Sequence, residues 1–114
     1  MTVTGGAAQD CEEPMIKMSV MYPNSPGSKF DVDYYIKTHM PLVVKLVGPD
    51  LKGWGVDKGV DANGPYSCTG WLLFESLDAI KKSFEPVAPQ LRADVPNYTD
   101  TKPTVQVAEV MAGT

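Results

Sequence analysis

The sequence contains little that could hold a metal ion or bind a polyanion. Among its 114 residues there is one histidine, His39, and there are two cysteines, Cys11 and Cys68. This set excludes the usual His/Cys zinc centre, which needs about four ligands. Ten Lys and Arg stand against 14 Asp and Glu, for a net charge of -4, and no stretch collects basic residues. We therefore expect no nucleic-acid partner and no anionic membrane surface.

Other signals are missing as well. No apolar run approaches the roughly 20 residues needed to span a bilayer. Residues 1–13 lack the positive start and the apolar stretch of a secretory signal. Gly53, Gly55 and Gly59 do not form a dinucleotide-binding motif, and there is no phosphate-binding loop. The two distant cysteines argue against a disulfide scaffold, so we expect a cytoplasmic protein. Because metal-ligand and nucleotide motifs are missing, we also expect no cofactor.

What is present fits one globular domain. The chain is 43% hydrophobic and 21% charged, and its 10 Gly and 10 Pro favour several turns over a long helical bundle. Residues 1–13 show no periodicity and are predicted to be a flexible N-terminal extension. Residues 14–114 are predicted to form the domain.

The hydrophobic pattern predicts six elements in the order strand, helix, strand, strand, helix, strand. They are a strand over 15–22, a helix over 31–47, strands over 53–60 and 66–74, a kinked helix over 76–92 and a strand over 104–111, with a loop over 93–102. Asp31 and Ser76 are predicted helix caps. Asn63-Gly64 predicts that the second and third strands form a hairpin. This is an α+β, ferredoxin-like βαββαβ fold with a four-stranded antiparallel sheet.

Apolar residues lie on both faces of this predicted sheet. In the third strand Leu72 and Phe74 share one face, while Trp71 and Leu73 share the other. Helices can cover only one face of a sheet in this fold. A second sheet from another subunit would cover the other face, so the pattern predicts a homodimer.

His39 lies on the apolar face of the first predicted helix. That face comprises Val32, Tyr35, Ile36, His39, Met40, Leu42, Val43, Leu46 and Val47. A buried imidazole needs a hydrogen-bond partner, and Pro41 removes the backbone bond to the Lys37 carbonyl. Two interpretations stay open: a structural histidine in the core, or a general acid/base or ligand donor lining a pocket between helix and sheet. Tyr35, on the same face, and Tyr34, outside it, are the nearest residues that could assist.

Several separated motifs resemble the EthD family, which is named for a protein associated with degradation of ethyl tert-butyl ether. The main one is the stretch 30–42, which contains Tyr34, Tyr35 and His39; Met21-Tyr22-Pro23, Lys58-Gly59, the stretch 94–100 and Pro103 are further matches. The resemblance covers about residues 15–112. It implies the dimeric α+β barrel superfamily, in which two ferredoxin-like subunits pack sheet to sheet.

The resemblance also implies a site, formed by His39, Tyr34 and Tyr35. It does not select a reaction, because the superfamily includes cofactor-free monooxygenases, cyclases and isomerases. The leading hypothesis is a small cofactor-independent enzyme in which His39 moves a proton of an apolar or aromatic small molecule. The alternative is a non-catalytic accessory protein that binds a small molecule in a degradation or biosynthesis pathway.

Overall fold

The sheet has four antiparallel strands, as predicted. A computed structural model describes residues 15–113. The strands are β1 (Ile16–Pro23), β2 (Gly53–Lys58), β3 (Tyr66–Phe74) and β4 (Thr104–Glu109), in the spatial order β2-β3-β1-β4. In the register, Met18 lies opposite Leu72 on one side and Val107 on the other. The ferredoxin-like arrangement is therefore confirmed.

Two helical segments pack against one face of this sheet. We call them α1 (residues 32–47) and α2 (residues 77–94). α1 consists of Val32–Tyr34, a π-helical turn at Tyr35–His39 and Met40–Val47, and α2 consists of Leu77–Ala79, Ile80–Phe84 in a π-helical turn, Glu85–Val87 in a 3-10 turn and Ala88–Asp94. None of the described helices is both long enough and apolar enough to cross a membrane.

Both predicted caps begin these helices. The Asp31 Oδ1 atom accepts a hydrogen bond from the Tyr34 backbone N–H at 3.0 Å. The Ser76 Oγ atom accepts one from the Ala79 N–H at 3.1 Å. Each cap satisfies a backbone donor that has no partner within the helix.

The π-helical turn in α1 changes which residues are buried. The Met40 N–H donates to the Tyr35 carbonyl, five residues back, immediately before Pro41, which has no N–H to donate. Because the turn is wider than an α-helical one, a pattern of 100° per residue does not hold across it. Ile36 was predicted to be buried and is 43% exposed, whereas Tyr35 and His39 are buried as predicted.

α2 differs from its prediction at both ends. Leu77 was predicted on the apolar face but is 55% exposed, because the π-helical turn after it shifts the register of the wheel. The helix was predicted to give way to a loop at residue 93, but it continues to Asp94 and into a 3-10 turn, Val95–Asn97. Pro96 fits this turn because a residue at the start of a helical turn needs no N–H.

The hairpin between β2 and β3 forms, but β2 is shorter than predicted. It ends at Lys58, and Val60, predicted within the strand, is fully exposed. The turn is held by Asp61, whose carbonyl accepts from the Gly64 N–H and whose carboxylate accepts from the Asn63 N–H, each at 2.9 Å. These bonds make residues 61–64 a turn that connects the two strands.

The core lies between the sheet and the two helices. Its buried side chains include Ile16, Met18, Tyr22, Val43, Leu72 and Phe74. On the opposite face of the sheet, Trp71 and Leu73 are half-buried. The Trp71 ring lies across Gly55, where a Cβ would overlap it, and the Lys17 ammonium lies 4.8 Å from the ring centre.

Candidate active site

A histidine and a carboxylate meet where α1 and α2 come together. The His39 Nδ1 atom lies 2.9 Å from the Asp94 Oδ2 atom. His39 is only 6% exposed and sits at the end of the π-helical turn of α1. Asp94 is the last residue of α2, in the part that the sequence analysis predicted to be a loop.

This contact defines which nitrogen of the imidazole carries the proton. The ionised carboxylate only accepts hydrogen bonds, so neutral His39 carries its proton on Nδ1. The lone pair is then on Nε2, which lies 3.5 Å from the Tyr98 hydroxyl. Nε2 is thus the atom that can take up a proton.

Two further side chains hold the carboxylate in place. The Tyr34 hydroxyl donates to Asp94 Oδ1 at 2.8 Å, and the Asn97 amide donates to the same atom at 2.9 Å. Partial burial acts to raise the pKa of Asp94, but the hydrogen bonds from Asn97, His39 and Tyr34 outweigh it, and the pKa lies below its ordinary value. Asp94 is therefore kept ionised beside His39.

A group of buried tyrosines surrounds the imidazole. The Tyr35 ring stacks on His39, with centroids 5.3 Å apart and an angle of 13° between the planes. The Tyr22 and Tyr98 hydroxyls are hydrogen-bonded at 2.6 Å. Burial raises the pKa of Tyr22, Tyr35 and Tyr98 above its ordinary value, so all three remain neutral hydroxyls at pH 7.

Beside His39 the helices, the sheet and the segment 101–103 line a cavity of about 530 Å³. His39, Tyr22 and Tyr35 lie in its wall. Most of the remaining wall is apolar, including Met18, Val20, Met40, Val43, Leu72 and Leu91. A concave, mostly apolar space with a few polar groups is the usual form of a small-molecule site.

Two features of the sheet leave room for this cavity. Gly70 of β3 faces it, and a Cβ at this position would overlap the Tyr35 hydroxyl. On β4, Val105 and Val107 share the face of Met18 and Val20, yet Val105 is 54% exposed. The helices therefore do not fully cover this edge of the sheet.

The three site residues predicted from the sequence occupy different positions. His39 and Tyr35 lie in the cavity wall, whereas Tyr34 contacts Asp94 and is not among the residues that line the cavity. The sequence analysis did not identify Asp94 or Tyr98 as site residues. Both lie in the stretch 94–100, which carried part of the family resemblance, and that stretch was the available signal.

No metal site is formed by the described part of the chain. Within residues 15–113, no three His, Cys, Asp or Glu side chains come together in a group that could hold an ion. Cys68, on β3, is buried in the core, and burial raises the pKa of its thiol to about 11.

Comparison with solved structures gives several relatives. An EthD-like protein from Ralstonia eutropha JMP134 shares 29% identity over 90% of this chain and 96% of its own, with a TM-score of 0.79. An EthD family protein from Bacillus halodurans C-125 shares 16% identity over 85% of this chain and 99% of its own, with a TM-score of 0.62. A DABB family protein with a ferredoxin-like fold from Mesorhizobium loti shares 10% identity over 88% of this chain and 100% of its own, with a TM-score of 0.59.

Two other comparisons gave nothing: no protein-family model and no curated protein matches this sequence. The two less similar structures agree with this chain in fold alone. The Ralstonia eutropha protein agrees with it in sequence as well, over nearly the whole of both chains. The resemblance inferred from the motifs is confirmed: this chain is similar to one EthD-like protein in both fold and sequence, and to a second EthD family protein in fold.

Proposed function

We propose that the protein is a small cofactor-independent enzyme that removes a proton from an apolar or aromatic small molecule. The observation that carries this proposal is the His39–Asp94 pair in the wall of an apolar cavity. Cyclisation, isomerisation and oxidation of an activated phenol by O₂ can all begin with such a proton transfer. The cysteine content favours a cytoplasmic location.

In the proposed step, His39 Nε2 accepts the proton and Asp94 stabilises the imidazolium that forms. The negative charge then develops on the substrate oxygen. The neutral Tyr35 or Tyr22 hydroxyl in the cavity wall would donate a hydrogen bond to that oxygen. Tyr34 would act through Asp94 as a positioning residue, because its hydroxyl contacts the carboxylate.

Proton exchange on a simple carbon acid tests this step without knowledge of the natural substrate. We expect the protein to accelerate deuterium exchange at the acidic CH₂ of 2-tetralone in D₂O, as followed by proton NMR. His39→Gln should reduce the acceleration by about 10²- to 10⁴-fold, the usual contribution of a general base. Lys45→Gln, at an exposed position of the same helix, is the control and should exchange at the wild-type rate.

The alternative function, non-catalytic binding of a small molecule, predicts a different result. It is supported by the apolar wall of the cavity, which would hold a ligand whether or not His39 acts as a base. If the protein binds 2-tetralone but exchanges its protons no faster than the same concentration of free imidazole does, it is a binding protein and not a catalyst. Equal exchange by wild type and His39→Gln would remove His39 from the mechanism.

We further propose that two copies pack through the sheet face that carries Trp71 and Leu73. Both side chains are half-buried within one chain, and the helices lie on the other face. A stable interface needs roughly 600 to 1,000 Å² of each partner, with an apolar centre. Trp71, anchored over Gly55, would supply that centre.

Native mass spectrometry at micromolar concentration tests this assembly. We expect a mass of twice the 12.4 kDa chain. Trp71→Lys should yield the single chain, because it removes the apolar centre and buries a second positive charge beside Lys17 in the interface. Gln90→Lys, at an exposed position of α2 on the other side of the sheet, is the control and should remain dimeric. A wild-type protein of one chain mass would contradict the proposal.

A further inference from the structure

We infer that the ligand of this cavity is an amphiphile: an apolar body carrying one carboxylate-like anionic group. The body would lie in the cavity and the anion at its rim, against Arg92 and Lys102. We call these two residues the rim cations. The inference rests on the proposed function of the cavity and names the chemical class of its occupant.

Arg92 belongs to the cavity face of α2. Ala88, Leu91, Arg92 and Val95 follow the spacing i, i+3, i+4 and i+7, and all four line the cavity. Ala88 and Leu91 are buried, whereas Arg92 is exposed. The aliphatic part of Arg92 therefore contributes to the wall while its guanidinium reaches solvent at the rim.

Lys102 reaches the same cavity from a segment with a well-supported backbone. The Thr99 hydroxyl donates to the Lys29 carbonyl at 2.6 Å and accepts from the Thr101 N–H at 3.2 Å. The Thr101 and Thr99 hydroxyls are also hydrogen-bonded, at 2.9 Å. Thr101, Lys102 and Pro103 all line the cavity, and Lys102 is exposed. Two separate parts of the chain thus each bring a cation to the same cavity.

The charged residues that line the cavity have the opposite sign to the net charge of the protein. The chain has a net charge of -4, yet no Asp or Glu of residues 15–113 lines the cavity, whereas both rim cations do. Among the same residues, neither Arg92 nor Lys102 lies within ion-pair distance of a carboxylate. The rim therefore attracts an anion and disfavours a cationic ligand.

The position of Arg92 in the last turn of α2 is also favourable for the helix dipole. That effect accounts for one cation, but it does not account for Lys102, which lies outside any helix. A planar guanidinium can bind both oxygens of a carboxylate, and an ammonium adds a second charge. The pair suits a carboxylate-like group better than a neutral oxygen.

Two probes with the same apolar body separate the charge from the cavity. We would titrate 2-naphthylacetate and its neutral methyl ester into the protein and follow their fluorescence. The wild type should bind the anion about tenfold more tightly than the ester. In Arg92→Gln/Lys102→Gln this preference should disappear, with the affinity for the ester unchanged. Lys37→Gln/Lys45→Gln removes the same charge from exposed positions of α1 and should keep the preference.

Each other outcome overturns the inference in a recognisable way. Equal binding of anion and ester by the wild type would show that the rim cations do not select the ligand, while the cavity proposal stands. If Arg92→Gln/Lys102→Gln still prefers the anion to the ester, the rim cations are likewise not what selects the ligand. If neither probe binds, the cavity is not a site for such apolar bodies, and the proposed function fails together with the inference.

Discussion

Asp94→Asn is expected to reduce His39-dependent proton exchange by as much as about 10⁴-fold, the effect typical when a histidine loses its orienting carboxylate. The neighbours of Asp94 explain the size of this effect. Tyr34 and Asn97 both donate hydrogen bonds to the Oδ1 position. In the variant these two donors would hold the amide oxygen at Oδ1, so the amide NH₂ would face His39 Nδ1. The imidazole would then have to carry its proton on Nε2, which could no longer act as a base.

The tautomer of His39 can be observed directly, because it is the only histidine of the chain. In ¹⁵N NMR spectra of the imidazole, we expect the Nδ1–H form in the wild type and the Nε2–H form in Asp94→Asn. Asp50→Asn, outside the site, is the control and should resemble the wild type. An unchanged tautomer in Asp94→Asn, or undiminished exchange, would contradict the role given to Asp94. If Asp94 had only a structural role, Asp94→Asn would lower the stability but would leave the imidazole proton on Nδ1.

Asp94→Asn should also change how the free energy of unfolding depends on pH. Since the pKa of Asp94 is lowered on folding, the unfolded chain binds this proton more readily than the folded protein does. Its contribution to stability is therefore complete above the unfolded pKa of about 3.9 and is lost as the pH falls through the lower folded value. In urea unfolding between pH 2 and 7, the wild-type advantage over Asp94→Asn should be complete above the unfolded pKa and should shrink as the pH falls below it.

Gly70→Ala is expected to destabilise the protein by about 1 to 3 kcal/mol, the usual cost of overpacking a core. The added Cβ would overlap the Tyr35 hydroxyl and come 3.0 Å from the Tyr35 Cζ atom. Tyr35 has little room to move, because its ring contacts Tyr22, Phe30 and His39. The clash should also move Tyr35 relative to His39, so proton exchange should fall with stability.

A second variant separates this clash from other effects of a methyl group in a strand. Tyr35→Phe removes the overlapping oxygen, so Gly70→Ala/Tyr35→Phe should recover part of the stability that Gly70→Ala loses. Chemical denaturation of the four proteins gives the coupling between the two positions. Losses that simply add would show that the Tyr35 hydroxyl is not what requires a glycine at this position.

Local patterns in the sequence were sufficient for most of the fold. Alternation of apolar residues predicted the strand faces, and Asp31 and Ser76 marked the helix starts, because these signals depend on neighbours within one turn or strand. The errors at Ile36 and Leu77 came from the π-helical turns, whose wider geometry a regular wheel does not contain. The loop predicted from residue 93 was wrong because Pro96 is compatible with the start of a further helical turn.

The sequence by itself determined that His39 lies on a buried helix face and needs a partner. Only the tertiary structure decided that this partner is Asp94, 55 residues further along the chain. The pairing depends on how two helices pack on one sheet, and no local pattern encodes that packing. The cavity has the same origin. It requires Gly70, Tyr35 and the uncovered edge at β4 to meet in space, and each of them is unremarkable in its own segment.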